Sequence, residues 1–216
     1  MSRYPTASCF LRRAADSTSP GSASRRGRRR GYGAIAAVAL FISTAGNAAG
    51  TATITAPPGE VMALHDIAAA ISAERIYSDI ETLVNFGTRH TASDTDSDTR
   101  GIGAARRWIF SQFEKISADC GGCLEVIYVG ETGERRIPDP VEVVSVLAIQ
   151  RGAMDPERMV LMSGDIDSRV SDPLNAISDS PGANDNASGM AGVIEAARVL
   201  SKYRFAGTIV YAGLAG

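Results

Sequence analysis

Two histidines, three cysteines and one tryptophan are all that this 216-residue chain holds of those types, and their scarcity excludes several chemistries. The histidines are His65 and His90, so there is no His-Glu-x-x-His helix, and any metal site must be built mainly from carboxylates. Cys9 stands alone, while Cys120 and Cys123 form one Cys-Gly-Gly-Cys pair. A zinc ribbon needs a second pair, which is missing. The absence of a Gly-x-Ser-x-Gly elbow disfavours a serine hydrolase, and there is no phosphate-binding P-loop. Asp94, Asp96 and Asp98 alternate as in a calcium loop, but the sixth position is Thr99 where an EF-hand requires Gly, and the twelfth is Ala105 where it requires Glu. Counting from Asp165 reaches Val170 and Ala176 and fails in the same way. Asp94 to Asp98 therefore read as a solvated loop.

No apolar run approaches the roughly twenty residues needed to span a bilayer. The nearest is Gly33–Ala45, ending in the small residues Gly46-Asn-Ala-Ala-Gly50, and it follows a segment with eight arginines and one aspartate in residues 1–31. A basic start, a short apolar stretch and a small-residue end predict a secretory signal peptide over residues 1–50. An uncleaved membrane anchor is the competing reading. Ser24-Arg25-Arg26 hints at twin-arginine export, and Gly31-Tyr-Gly33-Ala-Ile-Ala36 spells a degenerate dinucleotide fingerprint with arginines in place of the preceding strand. With that segment removed, the formal charge of −2 for the whole chain conceals a distinctly acidic body. An acidic body argues against nucleic-acid binding and fits an exported protein, periplasmic or extracellular, with no stable membrane association. In an oxidising compartment a short Cys120–Cys123 disulfide is the favoured reading. A thioredoxin-like site would want a helix directly after the motif, whereas Leu124–Val129 has strand character.

Residues 51–64, rich in Thr, Pro and Gly, read as a linker, and the domain is expected over 65–216. Ile67, Ile71, Ile76, Ile80, Leu83 and Val84 keep helical spacing from His65 to Phe86, and Gly87 stops the helix. A second helix carries Ile102, Ala105, Ile109, Phe113 and Ile116 on one face. Strands follow at 124–129, 142–149 and 158–163, then a helix from Met190 to Leu200 and a strand at 208–212. Strand, loop, helix, strand predicts an α/β fold with a mixed, largely parallel sheet flanked by helices. Because the chain ends just after a strand, the sheet is expected to be incomplete at its C-terminal end.

Two acidic clusters sit where such a fold places its ligands, beyond the carboxyl end of a strand. One is Ser163-Gly-Asp165-Ile-Asp167-Ser-Arg169, and the other is Pro181-Gly-Ala-Asn-Asp185-Asn-Ala-Ser-Gly189, which opens the helix. Asp165 and Asp167 are not expected to act as a simple carboxylate pair, and polar loop residues making turn hydrogen bonds are the competing reading. Asp185 can be read as part of a helix cap. Asn186-Ala-Ser188 is a glycosylation sequon by spelling alone.

Read together, the two clusters resemble the M28 family of zinc aminopeptidases and carboxypeptidases, which carries Gly-His-x-Asp-Ser after one strand and Pro-Gly-Ala-Asn/Asp-Asp-Asn-x-Ser-Gly opening a helix. Phe86-Gly-Thr-Arg-His90-Thr resembles a segment upstream of these in the family. The resemblance covers about residues 75–216 and implies a zinc exopeptidase fold, a peptide or protein substrate and two zinc ions. Asp185 matches the carboxylate that bridges the two ions, in a cis peptide to Asn186. Asp165 stands where the family has a histidine ligand, and Asp167 matches the carboxylate that orients that histidine. Carboxylate in place of imidazole adds negative charge and shifts metal preference toward Mn or Mg. The family's Glu-Glu pair, whose first member is the general base, follows the glycine matching Gly216, with an acidic and a histidine ligand later still. A fragment without them is expected not to turn over peptide. A non-catalytic α/β binding module, or a homologue that has lost its metals, is the alternative, and Asp165 is what favours it.

Overall fold

The computed structural model describes residues 62–133 and 140–216. The expected signal peptide and most of the expected linker lie outside these residues. The last linker positions instead begin a helix, α1 (Met62–Ala69). The single helix expected from His65 is two, because the chain breaks at Ala70–Ser72 before α2 (Ala73–Asn85). Ser72 causes the break. It is extended (φ −115°, ψ 119°), its Oγ accepts the Arg75 N–H at 3.2 Å, and its own N–H reaches Glu195 at 2.8 Å, so it caps the new helix and ties it to a distant element.

The helix α3 (Gly101–Asp119) is followed by β1 (Glu125–Gly133), β2 (Val141–Gln150), β3 (Asp155–Asp165), α4 (Ser188–Leu200) and β4 (Gly207–Leu214). The strands form one mixed sheet in the order β1-β2-β4-β3. Parallel pairing is confined to β3 with β4, while β1 with β2 and β2 with β4 are antiparallel. The largely parallel sheet expected from the sequence is thus corrected among the described residues. The β1–β2 connection is too short for a crossover and allows only a hairpin, whereas β3 reaches β4 through the long loop and α4.

Register sets which side chains meet the helices. Val146 faces Gly213, Ala148 faces Tyr211 and Gln150 faces Ile209, while Met162 and Gly164 on β3 align with Tyr211 and Gly213. These positions form the sheet face on which α3 and α4 pack, with Ile109, Phe113, Met190 and Ile194 in the same core. The Tyr211 hydroxyl meets Gln150 Oε1 at 2.9 Å in the core, and burial pushes its pKa up. α2 and α4 are joined by charge: Arg198 pairs with Asp79 at 2.6 Å, and Glu195, only 2% exposed, accepts Arg75 Nε at 2.9 Å. At the sheet's other side β3 is an edge among the described residues, with Met159, Val160 and Leu161 exposed. No helix of the described residues is long and apolar enough to cross a membrane.

Candidate functional site

The carboxyl end of β3 and the start of α4 touch backbone to backbone, and two glycines permit it. A Cβ on Gly164 would lie 2.7 Å from the Met190 nitrogen, and one on Gly189 would lie 2.0 Å from Asn186 Oδ1. Neither position has room for a side chain. That leaves space for the Asn186 amide to reach across and accept the Asp165 N–H at 3.3 Å. Before α4 the chain makes one wide helical turn, Ala183–Ala187, in which Asp185 and Asn186 leave helical geometry and the peptide between them is cis, as the resemblance implied. Asp185 is thereby presented at the turn rather than folded back as a cap, and Ser188 Oγ instead bonds Asn184 O at 2.9 Å.

Asp165 and Asp185 are both exposed, and neither carboxylate accepts a hydrogen bond or pairs with a cation among the described residues. Their lone pairs are unspent, and Asn186, the neighbour of one, bonds the backbone of the other. Exposed oxygen donors without counter-cations are the chemistry a hard or borderline divalent ion takes, so these residues fit the implied metal as a partial donor set. No group of three or more His, Cys, Asp or Glu side chains converges among the described residues.

Asp167 takes another position. Ile166 between the two aspartates is fully buried, so Asp165 and Asp167 share the opposite side. Burial pushes the Asp167 carboxyl up, and the Asp165 charge adds to this, against backbone N–H donors including that of Gly216 and the Thr91 hydroxyl at 3.5 Å. Among the described residues no imidazole is hydrogen-bonded to Asp167. His90 is buried, its Nδ1 accepts the Ala92 N–H at 3.1 Å, and its Nε2 faces the Pro173 carbonyl at 3.0 Å, so it carries its proton on Nε2 and both nitrogens are engaged. His65 is exposed on α1.

The residue that organises both clusters is Arg89. Fully buried, it donates from Nε to Ile166 O at 2.8 Å, from Nη1 to Leu83 O and Pro181 O at 2.8 Å each, and from Nη2 to Gly182 O at 3.1 Å. One guanidinium thus binds the end of α2, the exit from β3 and the approach to Asp185. Burial pushes its pKa down to about 10, with Asp167 opposing, and it remains a cation at neutral pH. Around it Ser168 Oγ donates to Ser180 O at 2.6 Å and accepts the Arg89 N–H at 3.1 Å, and Thr88 Oγ1 meets Ser180 Oγ at 3.2 Å. Sequence reasoning noted the Phe86–Thr91 segment only as a resemblance. No local pattern marks an arginine whose partners lie 77, 92 and 93 residues away.

Beside Asp167 runs a groove of about 720 Å³, lined among others by His90, Thr91, Glu131, Arg169 and Gly216. Cys120 and Cys123 are disulfide-bonded at the turn from α3 to β1 and line a separate cleft with Gln150, Ser201 and Arg204.

The fold is a mixed α/β sheet flanked by helices, with carboxylates at the end of a parallel strand and in the turn that opens the following helix. Among solved structures, the chain is similar to the Legionella pneumophila LapA aminopeptidase (TM-score 0.53, 20% identity, 74% of this chain and 40% of that one). It is also similar to a Macrostomum lignano glutaminyl cyclase (TM-score 0.55, 13% identity, 73% and 42%). At these identities the likeness is one of fold. Residues 145–215 match the model of peptidase family M28. Probable zinc metalloproteases of Pyrenophora teres f. teres and Leptosphaeria maculans are 49% and 45% identical to it, over 68% and 74% of this chain. The chain spans 31% and 37% of those relatives, about a third of their length.

Proposed function

We propose that this chain is the part of a metal-dependent peptidase that carries Asp185 and Asp165, in an exported protein that cleaves residues from peptide ends, as an aminopeptidase. The observation that carries this reading is the pair of unpartnered carboxylates, Asp165 and Asp185, connected through Asn186 at the junction of β3 and α4. The match to family M28 and the names of the fungal relatives support zinc as the metal. Asp185 would bridge two ions, and Asp165 would hold one of them in place of histidine. Zinc bound there would polarise the scissile carbonyl and lower the pKa of its water. The protein's share is positional: Asn186 holds the β3 end to the turn, and Arg89 holds both loops from beneath. The general base and the remaining donors lie outside residues 1–216 on this reading. The basic run and apolar stretch in residues 1–45 support export, and the acidic body supports a peptide rather than a nucleic-acid substrate.

The test is to assay the whole protein with zinc, manganese and magnesium on aminoacyl nitroanilides, beside Asp185→Ala. Metal-dependent hydrolysis that falls about 100-fold or more in the variant is the expected result. Hydrolysis unchanged in Asp185→Ala would sink the site assignment. No hydrolysis with any metal would favour the non-catalytic binding module instead.

A further inference from the structure

The loop leaving β3 carries a guanidinium that nothing in the site so far employs. Arg169 lies two residues beyond Asp167, is exposed, and lines the 720 Å³ groove. Among the described residues that line it, Arg169 is the only arginine or lysine. The nearby carboxylates do not neutralise it. Asp167 accepts from Thr91 and backbone, Glu131 shares the groove, and neither lies within ion-pair distance of Arg169. Its neighbour in sequence, Ser168, is pinned by Arg89 and Ser180, so the backbone that presents Arg169 is held on one side. The remaining lining is apolar or already spent: Val141, Val143 and Pro173 give apolar wall, and both His90 nitrogens are engaged.

A planar fork of five N–H donors beside an apolar wall matches the two oxygens of a carboxylate. We propose that Arg169 binds a carboxylate of the peptide lying in this groove, making it a specificity-determining residue. This inference rests on the peptidase reading for its substrate class. The carboxylate has two possible sources, the C-terminus of a short peptide or an acidic side chain near the scissile bond.

The test uses the full chain without metal and three unlabelled tetrapeptides with free N-termini, read by isothermal titration calorimetry. One has a free C-terminus and neutral side chains, one is a C-terminal amide containing Glu, and one is the same amide with Gln. Arg169 is expected to give the first, the second or both about tenfold tighter binding than the Gln amide, the arm that gains naming the source. Arg169→Gln should erase the gain and Arg169→Lys should keep part of it, since an ammonium gives charge without the fork. Equal affinity for all three peptides, a gain surviving in Arg169→Gln, or no binding of any peptide by wild-type protein overturns the proposal. Hydrolysis by the zinc-loaded whole protein is measured separately. Its absence with intact carboxylate-dependent binding refutes the peptidase reading alone, and hydrolysis without the binding gain refutes the role of Arg169 alone.

Discussion

Replacing Arg89 with methionine keeps the aliphatic length of the side chain and removes the fork. Four backbone carbonyls, those of Leu83, Ile166, Pro181 and Gly182, lose their donor together. A hydrogen bond to a charged group contributes about 1.5–3 kcal/mol. The burial that pushes the Arg89 pKa down to about 10 offsets part of that sum, because desolvating a cation is unfavourable. The net loss expected is about 4 kcal/mol, near the upper end for a single substitution. For a chain of this size it corresponds to a fall in Tm of about 8–16 °C. Arg89→Lys should recover less than half, because a single ammonium cannot span four acceptors that diverge. Urea unfolding gives the free energy. Hydrogen exchange gives the location: amides of Ile166, Ser168 and Ala187 should exchange faster in the variant before those in the middle of α3. If Arg89→Met stays within about 1 kcal/mol of wild type, or exchange rises evenly through the domain, the inference that this side chain joins the two acidic loops is refuted.

Three further outcomes follow from the same geometry. Gly164→Ala sets a Cβ against the backbone of Gly189 and Met190, which cannot swing aside, so it should destabilise by about 1–3 kcal/mol; an unchanged thermal melt would contradict the close approach. For Glu195, burial opposes ionisation, but Arg75, the Ser72 N–H and Arg198 outweigh it and hold the pKa below its ordinary 4.5. Its contribution is therefore present above about pH 4.5 and lost as pH falls through the lower folded value. Glu195→Gln should be less stable at pH 7 and show a flatter acid limb in unfolding followed from pH 6 to 2, and a wild-type acid limb in the variant would refute the pairing. Finally, residues 1–216 alone should hold zinc weakly, with a Kd above about 10 µM, because two carboxylates do not close a four-donor site. Competition against a chromophoric chelator measures this, and tight one-to-one binding would show donors beyond Asp165 and Asp185.

Where elements lie could be read from periodicity. The apolar positions of α3 and α4 and the strands near 142–149 and 158–163 fall where local spacing put them, since those signals depend on neighbours three, four or two residues away. The break at Ser72 escaped that reading because its cause includes a bond to Glu195, 123 residues distant. Sheet direction escaped it too: β2 lies antiparallel between β1 and β4, and hydrophobic pattern does not encode pairing direction. The acidic clusters and the M28 resemblance were legible because their spacing is local. Only the folded chain decides how the clusters meet. Gly164 allows contact because the backbone of Gly189 and Met190 faces it across the sheet end, and Arg89 is buried because four carbonyls from three segments converge on it. Asp167 is half-buried and accepts the Thr91 hydroxyl, while Asp165, on the same side of the β3 exit, and Asp185 stay exposed. Sequence by itself determined which residues carry the acidic chemistry, since spacing along a chain is a local property. Tertiary structure decided which of them are left with unspent oxygens, because burial and partnership depend on residues brought together from far along the chain.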